Sequence, residues 1–198
     1  MSNIPLICGI DEAGRGPLAG PVYAACVHIP ESALHLPFWQ HVTDSKKVTP
    51  KKRKELEILI LQHAICGVDF CTVEEIDTLN ILQASLLAMT KAFQRMSAVY
   101  QADWNALIDG NKVPKQMPCP AQAIVKGDSK HLEIAAASIL AKVGRDRIMH
   151  DLHTKHPEYG WNTNSGYGSK THIQAIEQHG VTIHHRRSFS PVRAALAA

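Results

Sequence analysis

The chain reads as an α/β protein, a mixed β-sheet flanked by helices, and three observations predict it. Short apolar runs, partly β-branched, end repeatedly in Gly, Pro or Asp, as strands do. Longer stretches with apolar residues three and four apart lie between later runs, as core-packed helices do. The first two runs are joined without such a stretch, so a hairpin opens an otherwise alternating order and the sheet is expected to be mixed.

The first strand is expected at residues 6–10 and the second at 22–29, paired across the Gly/Pro-rich segment AGRGPLAGP. Thr49 as N-cap and Pro50 at the first helical position announce a helix whose inner face would hold Leu56, Leu59, Ile60 and His63. A third strand is expected at 65–73. Asn80 is placed to cap a core helix through Met96, with Leu82, Leu86, Met89, Ala92, Phe93 and Met96 inward. The fourth and fifth strands, at 104–108 and 121–125, are stopped by DGN and KGD. A long helix over 132–153 is closed by Pro157, and the Gly-, Asn-, Ser- and His-rich remainder reads as irregular with one short helix near 173–178.

At 198 residues, the chain has the length of one domain and can bury a real core. With 45% apolar and 20% charged residues, no window approaches the roughly 18 consecutive apolar residues of a membrane span. The opening residues lack the basic and apolar build of a secretory signal, so the cytoplasm is the expected location. Five cysteines, odd in number and without a C-x-x-C pair, speak against both disulfides and a thiolate zinc site. The net charge is only +3, yet basic residues crowd residues 46–54 and again His184, His185, Arg186 and Arg187. Each run alone reads as a solvated face.

Four acids recur where strands are expected to end: Asp11 and Glu12 after the first, Asp109 after the fourth, Asp128 after the fifth. Carboxylates gathered in one cleft need a cation to offset their repulsion. Hard oxygen donors suit Mg2+ or Mn2+, and two such ions can clamp the attacking and leaving oxygens of a phosphodiester. Adjacent Asp11 and Glu12 would face opposite ways in a regular strand, so the strand is expected to twist or end there.

The loop Gly14-Arg15-Gly16-Pro17-Leu18-Ala19 fits G-x-G-x-x-A, but it leads through Pro21 into a strand and not into the helix that a dinucleotide site requires. Its small residues instead admit a ligand to backbone amides, and Arg15 adds a planar donor for phosphate or a ribose hydroxyl. His150, His153 and His156 sit at a helix end, where cations favour the macrodipole, and are not taken as zinc ligands. Tyr167, in a Gly-rich turn, offers a ring to stack on a sugar or base.

Taken in order, GIDEAGRGPLAGPV (9–22), DSKK (44–47), IDGN (108–111), KGDSK (126–130), IAAASILAKVGRD (134–146), GYGSKTH (166–172) and HRRSF (185–189) resemble the signature motifs of ribonuclease HII across nearly the whole chain. The resemblance implies one ribonuclease H-like unit over residues 1–198, whose last roughly 50 residues form a helical extension packed on it. It implies that Asp11, Glu12, Asp109 and Asp128 hold the metal ions, and that Gly14, Arg15 and Gly16 with Tyr167 recognise the 2′-hydroxyl that distinguishes RNA from DNA. Lys46 would contact backbone phosphate. The implied activity is Mg2+- or Mn2+-dependent hydrolysis of the RNA strand of RNA-DNA hybrids, and of duplex DNA 5′ to embedded ribonucleotides, leaving 3′-hydroxyl and 5′-phosphate ends. A monomer is expected, and a sliding-clamp contact has no residue signature. Ser169 stands where the family usually carries threonine. The sister family, ribonuclease HIII, has an extra N-terminal domain and a glutamate as last acid, whereas here the last acid is Asp128. Two rival classes remain: a non-catalytic hybrid-binding module, which does not need four acids, and a small phosphate-ester hydrolase, which does not need the basic runs.

Overall fold

The computed structural model describes residues 5–197; the first four residues and the last of the expected unit lie outside them. The chain forms one sheet in the order β3-β2-β1-β4-β5. β1 (Leu6–Ala13) runs antiparallel to β2 (Val22–His28), which runs antiparallel to β3 (Ile65–Cys71). On its other side β1 is parallel to β4 (Trp104–Asp109), and β4 to β5 (Ala121–Ile124). The expected opening hairpin and mixed sheet are both present.

Helices cover the two faces. On one, Cys8, Ile10 and Cys26 pack against Ala88, Ala92, Phe93 and Met96 of α3 (Ile81–Val99). On the other, Ala25 and Val27 pack against Ile139 and Leu140 of α4 (Leu132–Lys155) and Leu56 and Ile60 of α1 (Pro50–His63). Strand alternation sends Cys8 and Ile10 to the α3 face, while Gly9 lies under α4. Alanines 135, 136, 137 and 141 keep α4 thin, so it lies close on β1 and β2.

Three elements ahead of the C-terminal part differ from the expectation. β1 continues to Ala13, so Asp11 and Glu12 lie within the strand and not beyond it. β3 stops at Cys71 because Thr72 caps a short α2 (Val73–Leu79): the Thr72 hydroxyl accepts from the Glu75 amide (3.3 Å) and Glu75 accepts from the Thr72 amide (2.8 Å). With Ile76 its one buried residue, α2 leaves almost no apolar pattern. α1 turns Arg53, Leu56, Glu57 and Ile60 inward rather than Leu59 and His63. The Arg53 guanidinium is buried, donating to the carbonyls of Ser45 (2.7 Å) and Val48, so this member of the first basic run is not solvated.

The C-terminal part holds α5 (Trp161–Asn164), α6 (Lys170–His179) and α7 (Ser190–Ala197). The region expected to be irregular outside residues 173–178 thus also forms α5 and α7, which bury only Trp161 and Val192 respectively. Tyr159, Trp161, Ile176 and Val192 form a third cluster with Leu18, Ala19 and Met149, fastening this part to the segment that follows β1. Ser169 caps α6 by accepting from the His172 amide (3.2 Å), a task either hydroxyl residue performs.

Two glycines permit the helices to lie on the sheet. A Cβ on Gly9 would run into the backbone of Glu133 and Ile134 in α4, and one on Gly67 into the backbone of Ala92 and Met96 in α3. Because backbone cannot swing aside as a side chain does, Gly9→Ala and Gly67→Ala are each expected to cost about 1–3 kcal/mol or more by urea denaturation. An unchanged midpoint would mean that the helices are not seated on these glycines.

Candidate active site

The register of β1 creates the cleft. Its pairing with β4 ends at Ile10↔Ile108, while its pairing with β2 continues to Ala13↔Tyr23. Past Ile10 the strand is therefore free on the β4 side, and Asp11 and Glu12 border the gap. Asp109, the last residue of β4, accepts a hydrogen bond from the Gly127 amide (2.7 Å), which ties the strand end to the turn at Gly127–Ser129. That turn, entered through Lys126 in the left-handed region (φ 56°), presents Asp128 just before α4. Asp128 thus stands in a 3-10 turn and not at the strand end itself. The four acids line one cleft of about 490 Å³ together with Gly14, Arg15, Gly16, Lys46 and Tyr167. Every site residue singled out in the sequence reaches it.

The electrostatics are those of crowded, poorly hydrated carboxylates. Burial pushes the Asp11 carboxyl well above its usual range, and Glu12, Asp109 and Asp128 push it further. Burial likewise raises Glu12, against the pull of Arg15, whose guanidinium lies 3.4 Å from Glu12 Oε1. Asp128 is raised by burial, then by Asp44 and Asp109. Glu12 Oε2 is buried without a hydrogen-bond partner, an orphaned anionic oxygen of the kind a cation satisfies. Among the described residues, no three His, Cys, Asp or Glu side chains already close on a single point. Instead Asp11 and Asp109 each engage a backbone amide and Glu12 leans to Arg15. Mutual repulsion favours such spread positions, and the all-oxygen donor set fits Mg2+ or Mn2+.

The glycine loop is held from behind. Arg145 of α4 is 1% exposed and donates to the carbonyls of Pro21 (3.0 Å), Ala19 (3.0 Å) and Ser165 (2.9 Å). Arg186 is 0% exposed and donates to Gly14, Arg15, Gly20 and Pro21. The sequence reading missed both. It also took His184 to Arg187 as solvated, which the complete burial of His185 and Arg186 corrects. The one available signal was their place in two of the motifs, at 134–146 and 185–189. Asp44, Ser45 and Lys142 were missed as well; they line the cleft, and Asp44 accepts from the Lys46 amide (2.9 Å). Tyr167 leaves its ring half exposed at the mouth, where a Cβ on Gly16 would come within 3.2 Å of Cε1. The glycine loop and the Tyr167 ring are thus facing walls.

A family model described as Ribonuclease HII matches residues 8–192. The chain is 51% identical to the ribonuclease HII of Magnetococcus marinus over 190 residues, 96% of this chain and 87% of that one. Among solved structures, ribonuclease H2 from Pyrococcus horikoshii OT3 matches at a TM-score of 0.74 and 27% identity, covering 96% of both chains. The PCNA:RNase HII complex from Archaeoglobus fulgidus matches with the same TM-score and 26% identity, over 93% of this chain and 95% of that one.

The raised carboxyl of Asp11 has a definite consequence for stability. A group bound more tightly by protons in the folded state stabilises it at low pH, and that contribution is lost as pH rises from the unfolded value of 3.8 through the raised folded one. At neutral pH without divalent ions, Asp11→Asn is therefore expected to melt higher than wild type, by roughly 2–4 °C if about 1 kcal/mol of repulsion is relieved. Added Mg2+ or Mn2+ should raise the melting temperature of the wild type more than that of the variant. Equal melting temperatures without metal and equal shifts with it would show that Asp11 is not part of a repelling cluster.

Proposed function

The chain belongs to the ribonuclease HII family, and on that footing we propose that it cuts 5′ to ribonucleotides embedded in duplex DNA as well as along RNA-DNA hybrids, using two divalent ions held by Asp11, Glu12, Asp109 and Asp128. It is a ribonuclease H enzyme, an endoribonuclease of RNA-DNA hybrids. The observation that carries the finer reading is the union of four carboxylates, the glycine loop and the Tyr167 ring in one cleft. Mg2+ or Mn2+, when bound, supplies Lewis-acid chemistry at the attacking and leaving oxygens. Everything else falls to the chain itself.

The carboxylates hold the ions, with the orphaned Glu12 Oε2 among the donors. The amides of Arg15 and Gly16 face the 2′-hydroxyl, because the carbonyls of the same peptide groups, at Gly14 and Arg15, are turned away to Arg186, and Gly14 lines the cleft beside them. The Tyr167 ring packs on the adjoining sugar, and Lys46, exposed at the rim, meets a backbone phosphate. A water oxygen bonds to phosphorus as the bond to the 3′-oxygen breaks, leaving 3′-hydroxyl and 5′-phosphate ends. No side-chain nucleophile is required. A deoxyribose in this recess leaves buried polar groups unpaired, which a site of this kind rejects strongly. We take the enzyme to act as a monomer in the cytoplasm.

The decisive measurement is cleavage, with magnesium, of duplex DNA carrying one ribonucleotide, with the product ends identified. Wild type should cut on the 5′ side of the ribonucleotide, and Asp11→Asn should lose cutting while still binding the duplex. Binding without any cutting would favour the hybrid-binding module; hydrolysis of small phosphate esters alone would favour the other rival. For recognition, Tyr167→Ala is expected to cost far more than Tyr167→Phe on a lone ribonucleotide, and less on a continuous RNA strand; equal activity of all three proteins would remove the ring from the site. For Lys46→Ala, the slope of log K against log salt should flatten by roughly 0.7–0.9, the effect of one lost phosphate contact. An unchanged slope would leave Lys46 outside the interface.

A further inference from the structure

His185 and Arg186 are adjacent, wholly buried, and lie outside the residues that line the cleft. Their side chains serve opposite walls of the recess. The Arg186 guanidinium donates to Gly14 O (2.6 Å), Arg15 O (3.0 Å), Gly20 O (2.9 Å) and Pro21 O (3.1 Å) and lies over the Phe189 ring at 5.2 Å. Among the described residues no carboxylate stands within ion-pair distance of it. Burial, with Arg145 beside it, lowers its pKa only to about 9, so it stays cationic and is neutralised by carbonyl dipoles alone. A guanidinium that spends its donors on four residues of one loop fixes where that loop's backbone stands.

His185 reaches the other wall through a relay whose proton positions follow from its partners. The Thr182 amide donates to His185 Nδ1 (3.0 Å), which puts the ring proton on Nε2, facing His172 Nε2 at 3.2 Å. His172 Nε2 also accepts from Trp161 Nε1 (3.0 Å), so its own proton is on Nδ1, which donates to Tyr167 O at 2.9 Å. Burial and the neighbouring His172 hold His185 neutral, its pKa pushed down to about 3, and burial lowers His172 too. Backbone bonds stitch the same pieces together: the Arg186 amide donates to Leu18 O (2.8 Å), and the Leu18 amide to Gly166 O (2.7 Å).

We infer that Arg186 and the His185–His172 pair are positioning residues for ribose recognition, together setting the gap between the glycine loop at Gly14–Gly16 and the ring of Tyr167. The inference rests on the reading of that gap as the ribose recess. Its chemical logic is that the acids and ions treat all phosphodiesters alike, whereas choosing a single ribose depends on donors and ring standing at the right separation. A displacement of about 1 Å at such a site costs on the order of a hundredfold in rate. A continuous RNA strand offers neighbouring 2′-hydroxyls and tolerates a displaced wall; a lone ribonucleotide does not.

The test compares kcat/KM on duplex DNA carrying one ribonucleotide with kcat/KM on a hybrid carrying a continuous RNA strand, alongside the melting temperature of each protein. Arg186→Lys keeps the charge and loses the fork of donors. His172→Leu removes the donor to Tyr167 O, whereas His172→Asn restores one at the place of Nδ1. The expected result is a fall of about tenfold or more in the ratio of lone to continuous for Arg186→Lys and His172→Leu, with His172→Asn recovering most of it. A merely structural role lowers both rates together and leaves the ratio unchanged, and that outcome overturns the inference. Should Arg186→Lys not fold, the contrast between the two His172 variants decides it. Tyr167→Ala separates the two readings: if it leaves the ratio unchanged, the recess itself is misassigned and this inference falls with it. If Tyr167→Ala changes the ratio while the Arg186 and His172 variants do not, only the positioning role fails.

Discussion

β1 keeps its antiparallel partner after it has lost its parallel one, and the site depends on that unequal pairing. Up to Ile10 the strand has neighbours on both sides; from Asp11 to Ala13 it is held by β2 alone. A backbone paired on one side is still rigid, so Asp11 and Glu12 are presented from a fixed rail over a space where β4 has already ended. Asp109 closes that space from the end of β4, and α4, seated on Gly9, brings the turn carrying Asp128 against it. The acids thus come from rigid elements, which is what placing like charges side by side requires.

A second constraint follows from the first. Anionic side chains collected at low hydration would ordinarily recruit the nearest arginines as counter-ions. Arg145 and Arg186 are buried nearby, yet both are committed to backbone carbonyls. Among the described residues, Arg15, on the exposed side, is the one arginine that reaches an acid of the cluster, at 3.4 Å. Carbonyl dipoles neutralise the two cations without consuming carboxylates, so neither cation pairs with the acids while the loop is still fixed by charge-assisted hydrogen bonds. The stability given up in the cluster is the common cost of a working site.

Legibility in the sequence followed physical range. The five strands and the long helices were readable because each signals within its own span: alternation or continuous apolar runs for strands, and the Thr49-Pro50 and Asn80 starts for helices. α2 and α7 were not, since each buries one residue of its own, α2 being set by the Thr72 cap and α7 by the packing of Val192. The four acids stood out because strand-end carboxylates separated by a hundred residues are improbable as a coincidence of turns. Extending β1 to Ala13 went unseen because it depends on β2 continuing opposite, a property of register and not of residues 11–13. His185 and Arg186 were misread for the same reason. A His-His-Arg-Arg run has surface composition, and only the carbonyls of a loop some 170 positions earlier, at Gly14 and Arg15, explain why it is interior.

That distance along the chain gives the fold an order of completion. The ribosome delivers β1, its two acids and the glycine loop first, then Asp109 and Asp128, then Tyr167, and only afterwards His185 and Arg186. A nascent chain halted just beyond Tyr167 would carry all four carboxylates and both facing walls but none of the contacts through which the 184–186 segment ties them together. The proposed metal-binding acids are thus complete at Asp128, and the segment proposed to set the gap for one kind of sugar arrives last.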